Sequence, residues 1–183
     1  MYSDSVEKLI KLFSKFPTIG PKTASRFVFY LTREKKEEVE QLITSIKELK
    51  EKTRYCLKCN RIFESENDLC DICSNKGRQQ DVLCVIEKEV DLESIEKTKT
   101  YKGLYYIFDN SDNLIKRIKE NNLKEIILAL NPTTEGIRTS LLIKRKIEPY
   151  KIKQSQLGLG LPVGGELEYA DEETLSSAFK NRS

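Results

Sequence analysis

The hydrophobic positions of the first fifty residues recur at helical spacing. Three stripes at i, i+3, i+4 and i+7 cover Val6–Phe13, Ala24–Leu31 and Val39–Leu49. The Phe16-Pro17 pair must end the first helix, because proline lacks an N–H and disfavours helix in the preceding residue. Pro21 suits the first turn of the next helix. We therefore predict three short amphipathic helices that share one small core.

From residue 82 onward, strand-like apolar runs alternate with helical stripes. The predicted strands are Val82–Ile86, Leu104–Phe108, Ile126–Leu130 and Tyr150–Gln154, and a final helix over Glu172–Phe179 is capped by Asp171. Strands and helices that alternate at this spacing imply right-handed crossovers and a mostly parallel sheet. The predicted fold class is α+β with several modules: a helical N-terminus, a small cysteine module and an α/β domain.

Two cysteine pairs separate the helical region from the alternating one. Cys56 and Cys59 form one C-x-x-C, and Cys70 and Cys73 form the other after ten intervening residues. Two such pairs can supply the four thiolates of a tetrahedral Zn²⁺ site, and a closed four-cysteine site has no open position for a substrate. A pair of disulfides or a redox dithiol is the alternative, but disulfides conflict with an intracellular chain and redox motifs come singly. We expect one structural zinc ion per chain, with Cys84 as an ordinary core residue.

The hairpin between the first two helices, Phe16–Arg26, carries the second chemical signal. A helix N-terminus that follows a tight turn offers backbone N–H groups to a phosphate. Lys22 and Arg26 are four residues apart and share a helical face. Such an arrangement grips the DNA backbone without reading bases. An ordinary helical turn with solvated basic side chains is the alternative interpretation.

Charge and composition narrow the function classes. The chain of 183 residues has a net charge of +3, and the excess lies in residues 1–80, which hold 16 basic and 12 acidic side chains. The absence of histidine excludes a Ser-His-Asp triad and any histidine-ligated metal. No stretch approaches the ~20 apolar residues that span a bilayer, and no secretory leader is predicted, so a cytoplasmic protein without membrane contact is expected.

Acidic residues follow two of the predicted strands. Glu87 comes directly after a buried strand, where α/β sheets place their sites. A metal-dependent phosphoryl-transfer site commonly adds an Asp-x-Asp, which the chain lacks, and the third strand leads instead into Asn131-Pro-Thr-Thr-Glu135-Gly136. Asp109 and Asp112 could assist but are typical turn and capping residues. We therefore expect no catalytic residues.

The order of these motifs resembles the RecR family of bacterial recombination mediators. The resemblance rests on the helical hairpin, the two C-x-x-C pairs, Leu83–Glu87, Asn131–Gly136 and the tail Leu161-Pro-Val-Gly-Gly-Glu-Leu-Glu-Tyr169. It implies four modules: a helix-hairpin-helix region (1–53), a zinc module (54–78), a Toprim domain (79–150) and a Walker-B-like segment (151–183).

The resemblance also implies a function and a set of sites. RecR proteins act as ring-shaped tetramers with RecO, and often RecF, and help RecA to load onto single-stranded DNA coated by single-strand-binding protein. Lys22 and Arg26 match the family's basic hairpin residues that contact single- and double-stranded DNA. The four cysteines match its zinc ligands. Glu87 and Glu135 match its Toprim acids, of which the region of Glu135 is implicated in partner contact.

The sequence departs from the family pattern at two places, and two rival functions remain open. Thr18 stands where the family has glycine, and the chain passes from Phe108 to Asp112 without the usual longer loop. One rival is a Mg²⁺-dependent nuclease or topoisomerase-like enzyme that uses Glu87. The other is a zinc-dependent protein adaptor that does not itself contact DNA.

Overall fold

The computed structural model describes residues 2–182, which form two compact units that divide between Thr53 and Arg54. The first unit contains the helices α1 (Asp4–Phe13), α2 (Pro21–Leu31) and α3 (Lys36–Lys52). The following segments are β1 (Thr53–Tyr55), β2 (Ile62–Glu64), α4 (Asp71–Ser74), β3 (Val82–Ile86), α5 (Glu89–Lys97), β4 (Leu104–Ile107), α6 (Ser111–Lys119), β5 (Glu125–Leu128), α7 (Thr134–Ile147), β6 (Lys153–Gln156) and α8 (Glu172–Lys180). Short 3-10 turns cover Glu148–Tyr150 and Leu167–Tyr169.

The N-terminal unit has a very small core. Ala24 and Val28 of α2 are its buried side chains, and Phe13 packs edge-to-face on Phe27 with ring centroids 5.9 Å apart. These contacts join α1 to α2. The prediction that α3 shares this core is wrong, because its apolar stripe stays exposed, from 42 % at Leu42 to 56 % at Leu49. Amphipathic spacing predicted the helix correctly, but nothing in residues 2–53 covers its apolar face.

The second unit is built on a four-stranded sheet in the order β4-β3-β5-β6. Its three strand pairs are all parallel, so the predicted mostly parallel sheet and the α+β fold class are confirmed. The fourth strand begins at Lys153 rather than at Tyr150. The chain first makes the 3-10 turn Glu148–Tyr150 and then passes through Lys151 at φ +53°.

The two faces of the sheet support separate hydrophobic clusters. Successive residues of β3 point to opposite faces, so Leu83 and Val85 join a cluster with α6 and α7, while Cys84 and Ile86 join another. The second cluster also contains Leu92 of α5 and all four cysteines of the C-x-x-C pairs. The cysteine module therefore shares a core with one face of the sheet, and Cys84 is buried in it as expected.

One charged side chain is buried on the α6 side of the sheet. Arg117 is only 3 % exposed, and none of its three guanidinium nitrogens has a hydrogen-bond partner among the described residues.

No helix within residues 2–182 has the length and apolarity required to cross a bilayer.

Candidate metal centre and nucleic-acid interface

The four paired cysteines converge on one point. Their Sγ atoms all lie within 4.8 Å of one another, and Cys59 Sγ and Cys70 Sγ are 3.6 Å apart. A tetrahedron with ~2.3 Å zinc–sulfur bonds requires sulfur–sulfur separations of about 3.8 Å. All four thiols are free and buried, so the disulfide alternative does not describe this structure. The cluster can hold a metal ion, and its donor set is that of a structural site.

Local backbone turns bring each pair of thiols together. We call the turns at Cys56–Cys59 and Cys70–Cys73 the first and second knuckles. The first knuckle closes through hydrogen bonds from Cys56 N to Arg61 O (2.8 Å) and from Asn60 N to Cys56 O (3.0 Å), with Asn60 at φ +62°. The second knuckle leads into α4, and Cys70 N donates to Cys56 Sγ (3.4 Å). Hydrogen bonding to Cys59 and the other thiols lowers the pKa of Cys56, while the same contacts raise the pKa of Cys59. The sulfurs are thus close enough to share protons when no cation is bound.

The first knuckle is bonded to the edge of the sheet. Ile107, the last residue of edge strand β4, donates its N–H to Cys59 O at 2.9 Å. Asn60 Nδ2 donates to Ile107 O at 3.3 Å. The metal-binding turn therefore covers backbone groups that an edge strand would otherwise leave open. Sequence could not indicate this contact, because it joins residues nearly fifty positions apart.

An ion pair holds α5 beside the same face. Arg78 makes two hydrogen bonds to the Glu96 carboxylate, at 2.7 and 3.0 Å, and its guanidinium lies 5.5 Å from the centre of the Tyr105 ring. The Tyr105 hydroxyl donates to Glu96 at 2.6 Å. The hydrogen bond from Arg78 lowers the pKa of Glu96. These contacts attach Arg78, which follows the second cysteine pair, to α5 and to β4. The turn of the first cysteine pair is bonded to the same strand.

The helical hairpin presents its predicted basic residues to solvent. Gly20 is the N-cap of α2 and Pro21 its first residue, and the first turn contains no acidic side chain. Lys22 and Arg26 are both exposed, and neither makes an ion pair with any residue the structure describes. The positive end of the α2 dipole and its unpaired first-turn N–H groups lie beside these cations. Together they form a surface suited to an anion.

Thr18 adopts the backbone conformation that usually requires glycine. Its φ is +64°, in the left-handed region where β-branched residues are outliers. Gly20, by contrast, is extended at φ −83°, and a Cβ there would meet no atom within 4 Å. The hairpin thus keeps its turn although threonine occupies the left-handed position, and strain is expected at Thr18.

Glu87 is held by the loop that follows β5. Strands β3 and β5 are neighbours, so residues just past their ends lie side by side. Asn131 N donates to Glu87 Oε1 at 3.2 Å, and the Asn131 side-chain amide donates to Glu87 Oε2. Both oxygens of the first predicted Toprim acid are therefore engaged. Sequence placed Glu87 at the strand end but missed Asn131 as its partner.

Glu135, the second predicted Toprim acid, stands exposed in the first turn of α7. Thr133 caps this helix by accepting a hydrogen bond from Gly136 N at 3.1 Å. A Cβ on Gly136 would lie 2.0 Å from Asn131 O and 2.9 Å from Glu87 Oε1. Glycine is thus required where the helix meets the Glu87–Asn131 contact, and the backbone brings Glu87 close to the residue that follows Glu135.

Two further acids near the carboxyl end of the sheet, Asp109 and Asp112, are bonded to other side chains. Asp109 accepts hydrogen bonds from the Tyr106 hydroxyl and from Asn113; partial burial raises its pKa, but these bonds outweigh burial and hold it below the usual value. Asp112 pairs with Lys146 at 3.5 Å. Within residues 2–182, the four cysteines are the one group of three or more potential ligands close enough to share a cation.

The C-terminal segment borders a cavity at the carboxyl ends of β5 and β6. The cavity has a volume of about 650 Å³ and lies between α5, the loop after β5 and α8. Ser177 of α8 donates to Leu159 O at 2.8 Å, and Asp171 caps α8 through Thr174 N, as predicted. The tail between these elements is open to solvent, with Val163 106 % exposed.

Comparisons with known proteins agree with the order of these parts. A model described as RecR, helix-hairpin-helix matches residues 6–50, a Toprim domain model matches residues 81–158, and a model described as RecR, C-terminal matches residues 160–183. The Recombination protein RecR of Staphylococcus haemolyticus (strain JCSC1435) is 41 % identical over 196 aligned positions, which cover 100 % of this chain and 98 % of that protein.

A second relative gives the same result. The Recombination protein RecR of Staphylococcus aureus (strain MRSA252) is 40 % identical over 196 positions with the same coverage. Because this chain has 183 residues, both relatives carry residues that it lacks. Three family models in the expected order and full-length relatives at this identity lead to one conclusion: the chain belongs to the RecR family of recombination proteins.

Proposed function

We propose that this chain is a non-enzymatic, DNA-binding clamp of recombinational DNA repair. Membership of the RecR family supports the role in recombination. In the proposed role the protein acts with RecO, and with RecF where that protein takes part, to help RecA load onto single-stranded DNA coated by single-strand-binding protein. We propose that it acts in the cytoplasm.

The observation that carries the proposal is the basic surface at the N-terminus of α2. Lys22 and Arg26 are exposed cations on one helical face, beside a helix end without local acids. Gly20 leaves open space around its Cα, so a phosphate can approach the first turn closely. Contacts of this kind bind the backbone of single- or double-stranded DNA without sequence preference.

A single subunit offers few such contacts, and closure into a ring supplies more. Two exposed apolar surfaces support self-association: the α3 stripe in the first unit, and the tail with Leu167, Tyr169 and Phe179 in the second. A subunit with two separate self-contact surfaces can join neighbours on both sides and close a ring. We propose a homotetramer, in which four copies of Lys22 and Arg26 act together through avidity.

The bound metal in this proposal is one structural Zn²⁺ held by Cys56, Cys59, Cys70 and Cys73. Four convergent thiols form a donor set that suits zinc, and the closed site leaves no position for a substrate. We retain the four-module division at residues 1–53, 54–78, 79–150 and 151–183 as part of the proposal. Glu87 and Glu135 belong to the edge that contacts a protein partner, and neither is assigned a catalytic role.

The salt dependence of DNA binding tests the proposal directly. Eight cationic side chains in a tetramer could make up to about eight phosphate contacts, so log K against log salt on single strands would slope near roughly −5 to −6. The double variant Lys22→Ala/Arg26→Ala should flatten this slope and weaken binding equally on all sequences. Fluorescence anisotropy with gapped and single-stranded oligonucleotides over a salt series measures both effects.

The matched control removes the same charge elsewhere. Lys116 and Lys119 are exposed on one face of α6, and Lys116→Ala/Lys119→Ala should leave the slope unchanged. If the hairpin variant keeps the parental slope, the helical hairpin does not contact DNA and the adaptor function gains support. Mg²⁺-dependent strand cleavage that Glu87→Gln abolishes would instead identify the protein as an enzyme.

A further inference from the structure

We propose that Glu87 is a positioning residue whose carboxylate clasps Asn131 and thereby sets the loop 131–136, rather than a ligand for a catalytic metal ion. The clasp is the pair of hydrogen bonds from the backbone N–H and the side-chain amide of Asn131 to the two oxygens of Glu87. The inference rests on the proposed function in one respect: Glu135, which the loop presents, is taken to contact a protein partner.

The sheet itself brings the two residues together. Ala129 N bonds to Val85 O at 2.8 Å, continuing the parallel ladder of β3 and β5 to its carboxyl end. Two residues further along each strand, Glu87 meets Asn131. The clasp therefore continues the pairing of β3 and β5 through side-chain hydrogen bonds, at the point where the chain turns towards α7.

The clasp also fixes the start of α7. Gly136 lies so close to Asn131 O and Glu87 Oε1 that a methyl group could not fit. Thr133, between the clasp and the helix, accepts hydrogen bonds from Gly136 N through its side chain and from Ile137 N (2.8 Å) through its carbonyl. Asn131, the cap and the first helical turn, which contains Glu135, are thus joined by hydrogen bonds.

The surroundings of Glu87 suit a positioning role better than a metal site. Each of its oxygens already accepts one hydrogen bond from Asn131, and within residues 2–182 no further acids cluster with it to complete the ligand set of a Mg²⁺ ion. A bonded loop also gives a binding advantage, because a partner that recognises Glu135 need not order the loop on association. We expect loss of the clasp to weaken partner binding by about tenfold.

A second negative charge within the clasp tests the inference. Asn131→Asp places two carboxylates together and should raise the hydrogen-exchange rates of the amides of residues 131 and 133–137 by at least about tenfold. Glu87→Gln with Asn131→Asp restores one amide–carboxylate pair and should return these rates close to the parental values. Glu87→Gln alone should have little effect, because the Asn131 side-chain amide can rotate to accept from Gln. Melting temperature and circular dichroism establish that each variant is folded.

Three outcomes would overturn the clasp: parental exchange rates in Asn131→Asp, no recovery in the double variant, or a perturbation of the Asn131 amide resonance by low-millimolar Mg²⁺. RecO binding, measured on the same variants and on Glu135→Gln, tests the proposed function separately. Glu135→Gln should weaken RecO binding and leave exchange unchanged. If exchange follows the clasp but RecO binding is equal in all variants, the positioning role stands and the partner role of this edge is wrong.

Discussion

The two units of this chain differ sharply in what they bury. The N-terminal unit has a core of two fully buried side chains and leaves the apolar stripe of α3 in solvent. The second unit packs a four-stranded sheet between two clusters, one of which includes all five cysteines of the chain at 0–6 % exposure. The residues proposed to contact DNA lie in the first unit, and the groups that stabilise a fold lie mainly in the second.

This difference indicates how stability is divided. A two-residue core supplies little burial energy, so local helix signals must contribute much of the stability of the first unit. The second unit has a larger core of its own. On its cysteine face, however, deprotonated thiolates buried this close together are stable only when a cation or shared protons compensate their negative charge.

Removal of the metal should have the largest effect, and that effect should be confined to the second unit. Structural zinc sites contribute an apparent ~10–16 kcal/mol, which is large beside the burial energy of the few apolar side chains in residues 54–78. Because Ile107 N bonds to Cys59 O, a strong chelator should increase hydrogen exchange at Ile107 as well as in residues 54–78. Amides of α1 and α2 should keep their rates. Hydrogen exchange with mass spectrometry measures all three regions in one experiment.

A pair of cysteine variants supplies the control for chelation. Cys73→Ala removes one ligand and should abolish stoichiometric zinc, measured by elemental analysis of the purified protein. Cys84→Ala alters the same hydrophobic cluster but no ligand, so zinc should remain at one ion per chain. Full zinc content in Cys73→Ala, or unchanged exchange at Ile107 after chelation, would contradict the coupling of the metal centre to the sheet.

Arg117 should give the next largest effect, with the opposite sign. Its guanidinium is buried, and no partner for it exists in the described part of the chain, so its desolvation is uncompensated. Arg117→Met keeps an unbranched apolar side chain without the guanidinium and should raise the free energy of unfolding by about 1–3 kcal/mol. Urea denaturation followed by circular dichroism measures the change. The exposed neighbour Lys116→Met should stay within about 0.5 kcal/mol of the parent. A destabilised Arg117→Met would contradict the uncompensated burial of the guanidinium.

Sequence predicted the elements of both units better than their contacts. The strand 82–86 was predicted to the residue because a continuous apolar run is typical of a strand buried on both faces. The cysteine spacing predicted the four-thiol cluster because each C-x-x-C closes through its own local turn. Neither the Glu87–Asn131 clasp nor the Cys59–Ile107 bond could be predicted, since both depend on which strands become neighbours. The error at α3 has another cause: spacing shows that a face is apolar, but not whether the same chain covers it.

Thr18→Gly should give the smallest effect, and it tests the local stability of the first unit. Threonine at φ +64° costs about 1–2 kcal/mol relative to glycine, and the added freedom of glycine in the unfolded chain offsets part of this. We expect a net stabilisation of about 1 kcal/mol or less, seen as slower hydrogen exchange of amides in α1 and α2. Thr32, the C-cap of α2 at φ −67°, supplies the matched control, because Thr32→Gly removes a favoured conformation and should speed exchange of the same amides. If Thr18→Gly also speeds exchange of these amides, Thr18 is not strained at its left-handed φ, and threonine itself stabilises the hairpin.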